Sequence, residues 1–313
     1  STLFPYTTLF RSSIIIKMSE FIVDKKRYLI AKDQNHNDVY NKEVQDIVFQ
    51  IILEIDRICR KHKINYALSF GSALGLYKYG DFIPWDDDAD IVIDYFDYPR
   101  FVEALKSDLK DNFSFDCYLT NSRYNPLIPA LKVRDRGTYI KEANRFTLPD
   151  HTKERGLFVD ICLFMGVPGN EKEHMKLIKY SKRRMVKYVV GDAFLHLKMK
   201  RTKRKLLAFE KMVANKYKNS DYVSQTVIIP FQDQPHGMVH SLAFPRNVIY
   251  PFKEYEFRGH KIYSFNNIEE FSRLRYGDGC LKKFDEKTQT YLENYPRKKQ
   301  KSGHIKKIIF LNK

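Results

Sequence analysis

The sequence predicts an α+β fold: a mixed sheet core with flanking helices and a basic helical insertion. Three observations carry this reading. One long segment repeats apolar residues at helical spacing, two short apolar runs carry carboxylates, one at its start and one within it, and one stretch holds most of the positive charge.

The long segment comes first. Val44, Ile47, Val48, Ile51, Ile52, Ile55 and Ile58 recur every three to four residues, with Glu43, Asp46, Glu54, Asp56, Arg57 and Lys61 between them. That is an amphipathic helix ending near His62. Residues 66–70 then read as a short strand, and Gly71-Ser72 turns the chain into a short helix over 73–77. Gly80-Asp81 breaks the helix, and Pro84 keeps the chain extended up to an acidic run, Asp86-Asp87-Asp88-Ala89-Asp90. The β-branched Ile91-Val92-Ile93 that follows is a buried strand.

Further along, a helix is expected over 100–109 and strands over 113–119 and 127–133. The run Gly156-Leu157-Phe158-Val159-Asp160-Ile161-Cys162-Leu163-Phe164 is the second strongly apolar strand, with a single carboxylate inside it. Strand and helix alternating in this way argue a sheet with helices packed on it. Residues 171–218 are helical and very basic: between Lys172 and Lys218, 16 Lys/Arg stand against Glu173, Asp192 and Glu210, so the segment carries 16 − 3 = +13. Loops and short strands fill 222–265, a helix is expected over 268–274, and the basic tail after Arg297 is expected to fray. The histidines His36, His151, His174, His236 and His240 are scattered and are assigned to loops and the surface.

Residues 1–17 stand apart. Ser1 to Ser12 read as the translation of a common short-read sequencing adapter, with the natural start expected later, at Met18. The remaining divisions are a core over 18–165, the basic helical region over 166–220, and 221–313 as the C-terminal part of the same domain with its basic tail.

Composition bounds the function. The net charge of +17 implies a polyanionic partner: nucleic acid, an anionic membrane face or phosphorylated substrates. No stretch approaches the roughly 18 consecutive apolar residues of a membrane span. Cys59, Cys117, Cys162 and Cys280 form no CxxC pair, which argues against a disulfide framework or structural zinc. A cytoplasmic protein is expected, peripheral on the inner face of the membrane if its charge serves that surface.

The chemistry is in the carboxylates. On a strand Asp88 and Asp90 point the same way, and Asp86 can join them. Like charges held so close repel unless a cation bridges them. Mg2+ or Mn2+ is the expected cofactor, held by Asp88, Asp90 and Asp86 together with phosphate oxygens and water. Upstream, Gly71 lets a phosphate approach the backbone, Ser72 adds a hydroxyl, and the helix start offers N–H groups to an anion. An isolated charge on an apolar strand is costly, so Asp160 reads as a third metal ligand or a general base, making Asp88, Asp90 and Asp160 the catalytic set. Lys78, Lys132 and Arg134 are candidate phosphate-binding cations, and Trp85 is either packing or a stacking surface for a donor.

The order Gly-Ser turn, short helix, DxD on a strand, carboxylate on a further strand resembles the polymerase-beta-like nucleotidyltransferases. The run from Phe70 to Ile91, with Ile83-Pro84-Trp85-Asp86-Asp87-Asp88-Ala89-Asp90-Ile91 at its end, is similar to the signature of the LicD family, which includes bacterial phosphocholine transferases and is related to fukutin-type proteins. Leu131-Lys132-Val133-Arg134-Asp135 with Thr138, the strand Gly156 to Ile161, and Arg275-Tyr276-Gly277-Asp278 resemble further elements of that family, in order. The chain departs from the family pattern at Ala73, Leu76, Tyr77 and Lys78, and in the Gly279-Cys280 that follows Asp278; the carboxylates are untouched.

The resemblance implies a nucleotidyltransferase-type core. It also implies an enzyme that moves a phosphorylated head group, such as phosphocholine from CDP-choline, to a hydroxyl of a cell-surface glycan or its lipid-linked precursor. Its partners would be a CDP-linked donor, that glycan and an anionic membrane face, with no specific nucleic acid. A DxD nucleotide-sugar glycosyltransferase is the alternative, but it would need a longer Rossmann-like half before the DxD. A basic nucleic-acid-binding protein is another, supported by charge alone, and no recognition motif of the usual folds is present.

Overall fold

The computed structural model of the chain describes residues 29–84, 86–125, 129–142, 154–191, 199–225, 243–281 and 305–311. Trp85, His151, His236 and His240 lie outside the described residues, as does all of 1–17.

A hairpin of β1 (Leu29–Lys32) and β2 (Asp38–Tyr40) leads into α1 (Asn41–His62). The Tyr40 backbone N–H donates to Glu43 Oε2 at 2.7 Å, which satisfies an otherwise unpaired group at the helix start. Lys63 ends the helix in the left-handed region, at φ 51°. Next come β3 (Tyr66–Leu68), α2 (Phe70–Tyr79), β4 (Asp90–Asp94), α3 (Tyr98–Asp108), β5 (Phe113–Cys117), β6 (Leu131–Asp135), β7 (Thr138–Glu142) and β8 (Phe158–Gly166). The chain continues through α4 (Glu171–Val189), α5 (Lys200–Lys216), β9 (Tyr222–Gln225), β10 (Phe244–Pro245), α6 (Arg246–Ile249), β11 (Lys253–Phe257), β12 (His260–Ser264), α7 (Ile268–Tyr276) and β13 (Ile305–Phe310).

Nine strands form one sheet in the order β10-β9-β8-β4-β3-β12-β11, with β6 pairing on β8 and β5 on β6. The sheet is mixed: β4 runs parallel to β8 and antiparallel to β3, while β12 is parallel to β3. Strand β8 is long enough for three neighbours, with β4 on one side and β6 then β9 on the other. The alternation of β4 and β8 buries Ile91, Ile93, Ile161 and Leu163 completely. On the other face Phe164 meets the rings of Phe70, Phe244 and Phe265 at 6.1, 6.3 and 5.8 Å, so α2 and the segments around α6 and α7 close over it.

Helices α4 and α5 pack together over a second cluster, in which Met165 and Val167 at the end of β8 meet Met185, Tyr188, Leu206, Phe209 and Val213. The basic segment is thus an anchored helical pair with a core of its own.

Several expected boundaries move. The helix after β3 begins at Phe70 rather than residue 73, because Phe70 itself makes the turn in the left-handed region, at φ 47°. The tail is not frayed throughout: β13 pairs antiparallel with β7, because Ile305, Ile308 and Phe310 bury while Lys306 and Lys307 point to solvent. His174 is not a surface residue, being 2% exposed within α4. The four cysteines are free and buried, as a chain without a disulfide framework requires.

Candidate functional site

The first turn of α2 and the first residue of β4 are tied together by the backbone. The Ser69 N–H donates to the Asp90 carbonyl at 3.0 Å, and the Asp90 N–H donates to Ser72 Oγ at 3.0 Å. Ser72 is buried, and its hydroxyl oxygen braces the acidic strand against the helix start. The Asp86 carboxylate sits directly against the backbone at the helix start: a Cβ on Gly71 would lie 2.9 Å from Asp86 Oδ2, so a larger residue there would have to displace that carboxylate.

The acidic run is clamped from behind by α1. Asn41 Nδ2 donates to the carbonyls of Pro84 and Asp86 at 2.9 and 2.7 Å. Gln45 Nε2 donates to those of Ile83 and Asp86 at 3.0 and 2.7 Å. Both side chains are buried one turn apart on one face of the helix. Asp87 turns into the protein and is buried, whereas Asp86, Asp88 and Asp90 remain half-exposed.

Strand register then assembles a charged row. Asp90 on β4 is the direct neighbour of Asp160 on β8, and the Asp160 N–H donates to the Ala89 carbonyl at 2.9 Å. Asp160 is opposite Lys132 on β6, whose Nζ lies 3.1 Å from Asp160 Oδ1, and Lys132 is opposite Asp116 on β5. Register partners share a sheet face, so Asp116, Lys132, Asp160 and Asp90 form one line across four strands. The Lys132 ammonium also lies 3.5 Å from the centre of the Phe158 ring and 4.0 Å from Glu142. Arg134, two residues on and buried, donates to the Gly156 carbonyl at 3.2 Å and reaches Glu142 at 3.8 Å.

Cys162, next along β8 on the same face, reports the local field. Burial pushes its thiol well above the usual range, the carboxylates of Asp90 and Asp160 add to this, and Lys132 and Arg275 oppose them. Arg275 on α7 lies over the Phe70 ring at 5.3 Å, which brings a further cation to the strand–helix turn. Its neighbour Tyr276 is held above the ordinary phenol range by burial, with Asp90 and Asp86 contributing.

The structure therefore brings together Gly71, Ser72, Asp86, Asp90, Asp160 and Lys132, with Arg134 one row behind and Asp88 leading into the strand. Lys78 is not among them. It sits in the last turn of α2 near Cys280, where burial lowers its ammonium to about 8. Glu254, on β11 at the other end of the strand order from β8, pairs with Arg60 at 2.7 Å.

Asn41, Gln45, Glu142 and Arg275 had no assigned role from the sequence. Arg275 lay in a matched segment, and the others gave no local signal. Beyond the row, a cleft of about 750 Å3 opens along the free edge of β5, lined by Asp116 and Ser114 with Lys106, Lys110, Arg123 and Arg136.

Among the described residues no three His, Cys, Asp or Glu side chains converge as a metal cage. The donor set that strand register does supply, Asp90 beside Asp160 with Asp88 preceding, is all oxygen. It suits a hard divalent cation that completes its shell from phosphate and water.

The mixed sheet thus aligns carboxylates from two parallel strands beside a strand-to-helix turn. Residues 63–194 match the family model described as LicD/FKTN/FKRP, nucleotidyltransferase domain, a span from the end of α1 to beyond α4 that contains every carboxylate of the row. Over that segment the chain is similar to the LicD family. It is also 24% identical over 286 residues to the lipopolysaccharide cholinephosphotransferase LicD of Haemophilus influenzae, an alignment covering 86% of this chain and 98% of that protein. Among the described residues no helix is long and apolar enough to cross a membrane.

Proposed function

We propose that this chain is a metal-dependent phosphotransferase of the LicD type. It moves a phosphorylated head group, such as phosphocholine from CDP-choline, onto a hydroxyl of a cell-surface glycan or its lipid-linked precursor. The observation that carries the reading is the register of Asp90 with Asp160, one strand from Lys132. The relative of known name, which acts on lipopolysaccharide as a cholinephosphotransferase, supports the same class of donor and acceptor.

In this reading Asp88 and Asp90 hold Mg2+ or Mn2+, with Asp86 in support. Such an ion, when bound, draws charge from the donor's phosphates and from the departing nucleotide. The chain's own residues do the rest. The backbone at Gly71 and the N-terminus of α2 receive a phosphate oxygen, and Ser72 keeps that turn in place against Asp90. Asp160 accepts the proton of the attacking hydroxyl as its oxygen bonds to phosphorus and the bond to the leaving nucleoside monophosphate breaks. Lys132, 3.1 Å from one Asp160 oxygen, offsets part of that carboxylate's charge. Arg275, over the ring of Phe70, offsets the negative charge of the bound donor.

The glycosyltransferase alternative gains nothing from the fold, since the sheet strand before the acidic run, β3, is antiparallel to β4 rather than part of a parallel half. The deciding experiment is calorimetry with CDP-choline, CDP-ribitol, CDP-glycerol and UDP-sugars in Mg2+. CDP-choline should bind more tightly than CDP itself; binding no tighter than CDP removes choline, and binding unchanged in excess chelator removes the metal.

A further inference from the structure

We infer that the exposed face of α4, flanked by α5, is a docking surface for an anionic lipid bilayer. Side chains on a helix advance about 100° per residue. Lys172, Lys176, Lys179, Tyr180, Arg183, Val186, Lys187 and Val190, which continues the last turn, therefore fall within an arc of about 120°. All are exposed, and no carboxylate shares the arc; Glu171 and Glu173 fall on its flanks. Among the described residues no ion pair engages Lys172, Lys176, Lys179, Arg183 or Lys187, while Glu173 on the flank pairs with Lys216 of α5. The opposite side of α4, with His174, Ile178, Ser181, Met185 and Tyr188, is buried.

A face selected for solubility alone has no use for large apolar side chains among its cations. This one exposes Val186 to 49% and Val190 to 44%, and α5 exposes Met212 to 52% on a face with Arg201 and Lys205, while the half-exposed Tyr180 ring packs on Phe209 beneath Arg184. Cations that meet headgroup phosphates, with apolar tips set between them to enter the headgroup boundary, are the two features an interfacial surface combines. A soluble polyanion would use the charge and leave the apolar tips in water, so the bilayer is the occupant that accounts for both. The helical pair is anchored by its own apolar cluster at the end of β8, so the face is presented by a rigid element.

The test needs neither donor nor metal, and its failure would leave the phosphotransferase reading standing. The full chain is floated with vesicles of phosphatidylcholine alone or with about one third phosphatidylglycerol. Each cation near such a surface strengthens binding about fivefold. The triple variant Lys176→Glu/Lys179→Glu/Arg183→Glu should therefore bind the anionic vesicles at least about 100-fold more weakly, with an unchanged melting temperature. The double variant Val186→Ser/Val190→Ser, which keeps every charge, should bind several-fold more weakly. Raising salt to 1 M, where the screening length is about 3 Å, should release most of the wild-type protein. Equal flotation with neutral vesicles, full binding by the triple variant, or displacement by duplex DNA at equal phosphate concentration would each overturn the bilayer assignment.

Discussion

The Nζ of Lys132 stands 3.1 Å from a carboxylate oxygen of Asp160, and the strand neighbour of Asp160 on its other side is Asp90. One carboxylate thus faces a cation across one ladder and an anion across the other, and the two aspartates should respond differently to neutralisation. Asp90→Asn removes a like charge, so stability should hold or rise while turnover falls at least about 10²-fold. Asp160→Asn should lower turnover as much and also cost about 3 kcal/mol, because buried Lys132 would lose its nearest carboxylate and keep the Phe158 ring and Glu142 at 4.0 Å. Urea denaturation beside a transfer assay separates them. Equal destabilisation by both variants would contradict the charged row.

The loop that presents the acidic run depends on two amides of α1. Asn41→Ala leaves the Pro84 carbonyl, and Gln45→Ala the Ile83 carbonyl, without that donor, and each should cost about 1–3 kcal/mol. Both amides donate to the Asp86 carbonyl, which either alone still satisfies, so the double variant should lose more than the sum of the singles. Turnover should fall in each single variant under conditions where the protein stays folded. Strict additivity in the double-mutant cycle would show that the amides act independently.

These two amides also mark the limit of what the sequence reveals. The short helix after β3 and the strand after Asp90 were legible because glycine, proline and β-branched residues act locally, although the turn itself is made by Phe70 rather than Gly71-Ser72. The helix from α1 was legible from apolar spacing, yet at its first turn Asn41 and Gln45 look like ordinary surface polar residues. Their burial depends on a loop some 40 residues away. The row Asp116-Lys132-Asp160-Asp90 is hidden for the same reason: it exists only through the pairing of β5, β6, β8 and β4. In β13 the three buried residues Ile305, Ile308 and Phe310 were masked by Lys306 and Lys307, which made a strand resemble a basic tail.

Phe70 occupies the left-handed region at φ 47° on the first position of α2, a conformation that costs a residue with a Cβ about 1–2 kcal/mol. Its ring offsets this by packing against Phe164, Phe271 and Arg275. Phe70→Ala should lose the packing and retain the strain, whereas Phe70→Gly loses the packing and releases the strain. The glycine variant should therefore be the more stable of the two by about 1 kcal/mol, the reverse of the order in a helix interior. Chemical denaturation of both proteins decides it, and an alanine variant more stable than the glycine variant would show that the turn is unstrained.

His174 is buried in the first turns of α4, and burial lowers its imidazole to about 4 from the usual 6.5. Above pH 6.5 the ring is neutral in the folded and the unfolded chain alike, so it adds no pH dependence there. Between 6.5 and about 4 the unfolded chain takes up the proton and the folded chain does not, so each step toward acid favours unfolding. His174→Gln abolishes that uptake without adding a charge. The variant should be less stable than the wild type near pH 7.5, where packing alone is lost, and the gap should close as pH falls through this window. Urea midpoints of both proteins at pH 7.5, 6, 5 and 4 provide the measurement. A gap that stays constant over that range would mean that His174 titrates alike in both states and that the burial of its ring carries no protonation cost.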